Sequence, residues 1–234
     1  LISPALFLGF LYFSSLAAAS ETEPSLFDLP LEQIMQIKVI SASRTTNQSL
    51  MEAPAAMAVI TQEDIRRTGF TSLPEQLRMV PGLHVAQIDG NKWAIASRGL
   101  NERYCRTLLV QLDGRTLYSP IFSGVYWEGQ APMLEDLDRI EVVRGPGGAL
   151  WGANAVNGII NIITKPAAET QGWLMTGTTG NVDHGLGAVR YGGQAGENTF
   201  YRVYAKHDER DGSNTYGAPY TDDTGFSQAG FRFD

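Results

Sequence analysis

The sequence is poor in cysteine, in charged residues and in long apolar runs. Cys105 is the only cysteine among 234 residues, so no disulfide can form within the chain, and we expect a small buried side chain there. Charged residues make up 18%, with a net charge of -7 and no long run of one sign. This composition argues against nucleic acid as a partner and against a basic helix on a membrane surface. The 25 glycines and 11 prolines instead indicate a protein rich in turns and strands.

The longest apolar run lies at the start of the chain, from Ala5 to Leu16, and is followed by three small residues, Ala17 to Ala19. A helix that crosses a membrane needs about 20 apolar residues, so this run is too short. The pattern is typical of a secretory signal peptide, which we predict over residues 1–19. A buried core helix is the alternative reading of the same run.

Residues 20–55 are predicted to form a polar leader that precedes the first compact domain. Within it, Leu31, Ile34 and Met35 have helical spacing. A short β-prone run then follows over residues 38–44. Such a run can add to the sheet of another protein or form an edge strand of the next domain, and the residues alone leave both open.

Residues 56–166 have the pattern of helix caps, turn residues and strand-like runs that is typical of a compact α+β domain. Thr61 and Asp64 predict the start of one helix, which Gly69 closes, and Ser72 with Glu75 predicts a capping box that starts a second. Residues 113–114, an Asp-Gly pair between apolar runs, predict a tight hairpin. The strand-like runs cover residues 57–60, 83–88, 93–97, 107–112, 140–143 and 159–164.

Residues 167–234 change to longer alternating strands, seen best over residues 200–208. One face there is apolar and the other polar, with Tyr201, Val203 and Ala205 opposite Arg202, Tyr204 and Lys206. Weaker alternation occurs over 186–192 and 226–234. This rhythm is typical of a membrane β-barrel, although a soluble antiparallel sandwich would alternate in the same way.

The motifs argue against four kinds of catalytic or cofactor site. The glycine-rich run after residue 144 has no third glycine at position 150, as a dinucleotide fingerprint requires, and no Gly-Lys-Ser/Thr of a phosphate loop. His84, His184 and His207 lack metal-ligand spacing, and no nucleophile elbow occurs. We therefore predict no enzyme activity, no catalytic residues, no cofactor and no metal site.

The run from Ile140 to Lys165, IEVVRGPGGALWGANAVNGIINIITK, closely resembles the signature that ends the plug domain of TonB-dependent outer-membrane receptors. Val80-Pro81-Gly82-Leu83, Ser97-Arg98-Gly99 and Leu112-Asp113-Gly114-Arg115 occur in the order found in that family. Trp151, where the family often has tyrosine, is a departure. The resemblance covers about residues 29–165 well and the rest more loosely.

The resemblance implies a fold of two parts. An α+β plug domain over residues 56–166 would be followed, over 167–234, by the start of an antiparallel transmembrane β-barrel. The full family barrel has 22 strands and about four are present here, so we expect a fragment. The implied location is the outer membrane of a Gram-negative bacterium, with the leader reached from the periplasm and lipid around the strands.

The implied function is active import of a scarce nutrient, most commonly a ferric siderophore, with cobalamin, haem and carbohydrates left open. TonB and its inner-membrane complex would supply the proton-motive force by binding a leader segment, the TonB box, through β-strand addition. Our candidate box is Ile37, Lys38, Val39, Ile40 and Ser41. The alternatives are a surface-signalling or adhesion receptor and a truncated, non-functional fragment.

The resemblance also implies two further sets of site residues. Contacts between plug and barrel are expected at Arg98, Glu141, Arg144 and Gly145, with solvated surface charge as the alternative. Contacts with a small-molecule substrate, such as a metal chelate, are expected at the outward tips of the plug, where several aromatics can equally pack plug against barrel. The predicted substrate residues are Asn91, Trp93, Asn101, Arg103, Tyr104, Tyr118, Phe122, Tyr126 and Trp127.

Overall fold

The computed structural model describes residues 38–41, 48–49, 55–99, 101–181, 183–212 and 223–234. The predicted signal peptide, the helical spacing before residue 38, and Ile37 of the candidate box lie outside these described residues. In the described ranges, no helix has both the length and the apolar character needed to cross a bilayer.

Fifteen strands are described in chain order. They are β1 (Lys38–Val39), β2 (Gln48–Ser49), β3 (Ala56–Thr61), β4 (Leu83–Gln87), β5 (Trp93–Ser97), β6 (Leu108–Leu112), β7 (Arg115–Thr116), β8 (Tyr118–Ser119), β9 (Gly124–Val125), β10 (Leu137–Arg144), β11 (Gly158–Thr164), β12 (Gly172–Thr178), β13 (Asp183–Gln194), β14 (Phe200–Arg210) and β15 (Thr224–Phe233). The α-helices are α1 (Gln62–Thr68), α2 (Leu73–Gln76) and α3 (Gly148–Trp151), and 3₁₀ turns cover Leu77–Met79, Trp127–Gly129, Leu134–Asp136 and Ala167–Glu169.

A five-stranded sheet in the order β3-β10-β11-β6-β7 forms the centre of the plug. β10 pairs antiparallel with β3 and β11, whereas β11 pairs parallel with β6. Ile60, Ile140 and Ile162 lie side by side across three of these strands and are at most 3% exposed. Burying each such side chain stabilises the fold by about 1.5–3 kcal/mol, which explains the apolar runs that the sequence analysis identified as strands.

The helix caps form as the sequence predicts. The hydroxyl of Thr61 accepts from the amide of Asp64 at 3.2 Å, and the Asp64 carboxylate accepts from the Thr61 amide at 3.0 Å. Gly69 ends α1 in the left-handed region, at φ 66°. The second predicted helix is shorter than its periodicity suggests: α2 begins at the Ser72 capping box but tightens into the 3₁₀ turn Leu77–Met79, a frequent ending for an α-helix.

The Asp113–Gly114 hairpin is confirmed. Both residues have positive φ, 48° and 78°, as a type I′ turn requires. β6 and β7 pair on either side of it, with Gln111 opposite Thr116.

β12 to β15 form a separate antiparallel sheet of four strands in sequential order. Its polar face lies towards the plug, where Arg202 is 5% exposed. Its other face exposes large apolar side chains, among them Met175 at 73% and Phe231 at 73%. A soluble sandwich would bury this apolar face, so the orientation confirms the barrel reading of the alternation.

Aromatic rings form a row at one end of this second sheet, on its apolar face. Centroid distances are 4.8 Å between Trp173 and Tyr191, 6.3 Å between Tyr191 and Tyr201, and 6.1 Å between Tyr201 and Phe233. Each of the four strands contributes one of these rings. Such girdles are typical of barrel strands where they meet the membrane interface.

Candidate functional site

The described part of the candidate TonB box, Lys38 to Ser41, folds back onto the plug. β1 pairs antiparallel with β2, with Lys38 opposite Ser49 and Val39 opposite Gln48. Val39 is 0% exposed. The first two residues of the short β-prone run therefore form a strand, and its pairing partner here lies within the same chain.

Glu141 and Trp151 hold the two residues that follow β1. The Glu141 carboxylate accepts from the amide of Ile40 at 3.1 Å and from the amide of Ser41 at 2.8 Å. The Trp151 indole N–H donates to the carbonyl oxygen of Ser41 at 3.1 Å. We call this arrangement of Glu141, Trp151, Ile40 and Ser41 the leader seat.

The charge of Glu141 is balanced within the plug. The side chain is 0% exposed, and its carboxylate also accepts from Nε of Arg139 at 2.8 Å. A buried carboxylate is costly unless it is paired and hydrogen-bonded, so the two leader amides and Arg139 together make its burial tolerable. Pulling the leader away removes two of these three donors.

The leader seat conflicts with strand addition at the same residues. A pairing strand needs free backbone N–H groups, and the amides of Ile40 and Ser41 are already bonded to Glu141. Occupation of the seat and pairing of these amides with a partner strand therefore exclude each other.

Three stacked aromatic rings lie at an outward tip of the plug, and we call them the apex stack. The rings of Tyr104 and Phe122 are 5.1 Å apart and inclined by 11°, and those of Phe122 and Tyr126 are 5.2 Å apart and inclined by 19°. Phe122 is 40% exposed and Tyr126 is 37% exposed. Gly124 permits this fold of the loop, since a Cβ there would lie 2.8 Å from Cα of Tyr104.

Arg103 sits beside the apex stack with its charge retained. Its guanidinium lies 5.0 Å from the ring centroid of Tyr104 and forms an ion pair with Glu128. Burial lowers the pKa of Arg103, but the hydrogen bond and the charge of Glu128 outweigh this and place the pKa above its ordinary value. The tip therefore combines flat aromatic surface with a fixed cation.

Two of the predicted substrate residues are largely buried, and their contact with a ligand stays a prediction. Trp93 is 3% exposed and Trp127 is 5% exposed, and both belong to the plug core. Every residue of β5 is buried, and the Arg78 guanidinium lies 5.2 Å from the ring centroid of Trp93, so most of this ring is used in packing within the plug. An aromatic residue in a tip region of the sequence does not reveal whether its ring points outward.

The remaining predicted substrate residues lie near the surface but have local structural roles. The Asn101 amide donates to the carbonyl oxygen of Ala94 at 3.0 Å. The amide of Asn91 donates to the Asp89 carboxylate at 3.4 Å in a turn. Tyr118 lies in β8, which pairs with β9.

The predicted plug–barrel residues are placed differently from expectation. Glu141 faces the leader rather than the second sheet. The Arg144 guanidinium donates to the carbonyl oxygen of Pro81 at 2.6 Å. The amide of Gly145 donates to the carbonyl oxygen of Asn157 at 3.0 Å, so both bonds stay within the plug. Arg98 is exposed in the left-handed region, at φ 52°. For Arg98, Arg144 and Gly145, contact with further barrel strands stays a prediction.

Other residues join the plug to the second sheet, and no motif in the sequence indicates the acids among them. Asp136 pairs with Arg190 and Arg202. Elsewhere, Arg232 donates to the Thr164 hydroxyl at 2.6 Å, and the Thr71 hydroxyl donates to the Asp183 carboxylate at 2.8 Å. The alternation placed Arg202 on a polar face, but no local pattern marked Asp136 as its partner.

Residues 49–159 match the family model of the TonB-dependent receptor plug domain. The curated relatives include the vitamin B12 transporter BtuB of Vibrio cholerae, 31% identical over 202 residues, which are 86% of this chain and 32% of BtuB. They also include the iron-regulated outer membrane virulence protein of Vibrio cholerae, 35% identical over 131 residues, 54% of this chain and 19% of that protein. The chain thus spans about a third of BtuB, 32% of its length.

Solved structures share the fold at lower identity. The pyoverdine outer membrane receptor FpvA of Pseudomonas aeruginosa superposes with a TM-score of 0.61 at 21% identity, over 84% of this chain and 28% of FpvA. The ferric yersiniabactin uptake receptor FyuA of Yersinia pestis gives 0.53 at 22% identity, over 75% of this chain and 27% of FyuA.

The names of these relatives describe transport, uptake and the outer membrane rather than catalysis, which agrees with the prediction of no enzyme activity and with an outer-membrane location in a Gram-negative bacterium. The exposed apolar face and the aromatic row of the second sheet agree with that location. The chain therefore carries the plug domain of a TonB-dependent receptor, followed by antiparallel strands of the kind that begin the barrel of these outer-membrane proteins.

Proposed function

We propose that this chain is the plug and first barrel strands of a receptor that imports a scarce nutrient, in the first instance a ferric siderophore, with energy delivered by TonB to the leader. The observation that carries the proposal is the leader seat, in which a short strand is held on the plug by a few hydrogen bonds to its backbone. Such a strand is exchangeable, because a partner strand offers the same backbone groups equivalent bonds.

The apex stack supports a flat, partly apolar substrate. Phe122 and Tyr126 are partly exposed and offer aromatic surface to a flat ligand, and Arg103 adds a cation suited to an anionic chelate. Its ion pair with Glu128 lowers the net charge of the tip, so stacking rather than charge is the dominant contribution we assign to binding.

The names of the relatives suggest two classes of substrate. BtuB is named for vitamin B12, and FyuA for ferric yersiniabactin. Both are large metal-containing molecules, and the apex stack favours the ligand with more exposed aromatic surface. A catecholate siderophore fits this description better than a corrinoid does.

The test is uptake by cells that produce the receptor from its own gene and lack other receptors for the same ligand. Labelled ferric catecholate siderophore and labelled cobalamin are supplied separately, with and without TonB. We expect uptake of the iron complex only when TonB is present. Uptake of cobalamin alone would reject the substrate, and uptake independent of TonB would reject the coupling.

Val39→Pro separates coupling from binding. Proline removes a backbone donor from β1 and fixes φ, so the segment can no longer complete a strand pairing. We expect loss of uptake with unchanged binding of substrate to the cell surface. If uptake survives this change, Ile37 to Ser41 is not the TonB box.

A further inference from the structure

A buried acid joins the plug to two neighbouring strands of the second sheet. One oxygen of Asp136 contacts Nη1 of Arg190 on β13, and the other lies 3.4 Å from Nε of Arg202 on β14. Asp136 is 3% exposed and Arg202 is 5% exposed. Arg202 also donates to the carbonyl oxygen of Lys165 at 2.8 Å. The amide of Lys165 in turn donates to the backbone carbonyl oxygen of Asp136 at 2.8 Å. We call Asp136, Lys165, Arg190 and Arg202 the wall anchor.

The charges of the wall anchor make Asp136 difficult to replace. One carboxylate faces two guanidinium groups on the plug-facing side of adjacent strands. Removing one partner of a buried ion pair leaves the other charge without compensation, and here two cations would be left. Surface ion pairs, in contrast, are screened by water and weak.

The wall anchor and the leader seat are joined by a single strand. Asp136 directly precedes β10, and Glu141 lies within it. β10 is also an inner strand of the plug sheet, between β3 and β11. A pull on the leader therefore reaches β10 at Glu141, while the start of the same strand is held to the barrel wall at Asp136.

The two attachments differ in strength. Glu141 holds the leader by accepting from two backbone amides, and the carbonyl groups of an incoming strand, or water, can replace the carboxylate as acceptor. The wall anchor consists of buried opposite charges for which water is a poor substitute in the same space. We propose that Asp136 is a positioning residue that keeps the start of β10 fixed to the barrel wall while the leader is withdrawn. The inference rests on the proposed function only for the source of the pull.

The first test uses the resting receptor, expressed from its own gene and purified from outer membranes, without substrate or TonB. Hydrogen exchange at the amide of Lys165 reports the anchor directly, because this amide donates to the carbonyl of Asp136. For Asp136→Asn we expect exchange at least about tenfold faster than in the wild type, since the buried Arg202 and the partly buried Arg190 lose their counter-charge. Unchanged exchange at Lys165 would overturn the proposal.

Asp138→Asn is the matched control. Asp138 is an acid two residues further along the chain, within β10, and its ion pair is with Arg139 of the plug. We expect the wild-type exchange rate at Lys165 in this variant. An equal acceleration in both variants would show a general loosening of β10 and would reject the specific role of Asp136.

A rescue experiment separates charge from packing. In Asp136→Asn combined with Arg190→Gln and Arg202→Gln, the uncompensated cations are gone, so exchange at Lys165 should return towards the wild-type rate. If this triple variant exchanges as fast as Asp136→Asn alone, charge pairing does not explain the anchor.

The last experiment adds the proposed partner, TonB, to the receptor. Substrate and a soluble periplasmic fragment of TonB are added to the wild type, and we expect faster exchange at Ile40 and Ser41 with no change at Lys165. Acceleration at all three would overturn the proposal. If none of them responds, the proposed function is contradicted, and the resting-state comparison still decides the anchor.

Discussion

The substitution Glu141→Gln should free the leader without any substrate. Glutamine keeps the shape of the side chain and one acceptor oxygen but removes the charge. Charge-assisted hydrogen bonds contribute about 1.5–3 kcal/mol and neutral ones about 0.5–1.5 kcal/mol. The two bonds to the amides of Ile40 and Ser41 should therefore weaken by about 1 kcal/mol each. A total of about 2 kcal/mol corresponds to a roughly 30-fold larger population of released leader.

Hydrogen exchange at the amides of Ile40 and Ser41 measures that population in the purified receptor. Asp138→Asn is again the control, since Asp138 shares Arg139 with Glu141 while the carboxylate that accepts from the leader is that of Glu141. We expect about 30-fold faster exchange for Glu141→Gln and little change for Asp138→Asn. Equal exchange in Glu141→Gln and the wild type would show that the carboxylate does not hold the leader.

Two further predictions concern the apex and the plug core. Phe122→Ala removes the middle ring of the apex stack and should weaken substrate binding about tenfold, whereas Ile121→Ala, at a more exposed position beside it, should not. Binding of labelled substrate to cells measures the difference, and equal losses in the two variants would contradict the prediction. Gly158→Ala places a Cβ 2.6 Å from the carbonyl oxygen of Val143 and should lower the free energy of unfolding by about 1–3 kcal/mol, measured by urea denaturation. Gly177→Ala, which has open space around it, should leave stability nearly unchanged, so a similar loss there would refute the packing argument.

Much of the plug fold could be predicted because its signals are local. The Thr61 cap, the left-handed Gly69 and the Asp113–Gly114 turn each depend on residues within a few positions, and all three form as predicted. β12 was not among the predicted strands, since its glycine and threonine residues weaken the alternation, and its pairing with β13 is what defines it.

The site was less predictable because its contacts join residues far apart in the chain. Glu141 meets Ser41 across 100 positions, and Asp136 meets Arg190 across 54. The resemblance predicts a barrel contact for Glu141, whereas the bonds that its carboxylate makes in the described residues are to the leader amides and to Arg139. Trp93 and Trp127 show the same limit, since the direction of a ring depends on strand pairing and core packing rather than on local composition.

The aromatic row of the second sheet determines the depth at which its strands lie in the bilayer. On the outer face of β14, the apolar band begins at Tyr201 and gives way to His207, whose ring bonds to the Ser227 hydroxyl at 2.8 Å. Six residues of strand span about 20 Å, close to the roughly 25 Å hydrocarbon band of outer-membrane barrels. The aromatic row therefore lies at one water–lipid boundary, next to the segment that links plug to barrel. The end of β14 that carries His207 lies at the opposite boundary.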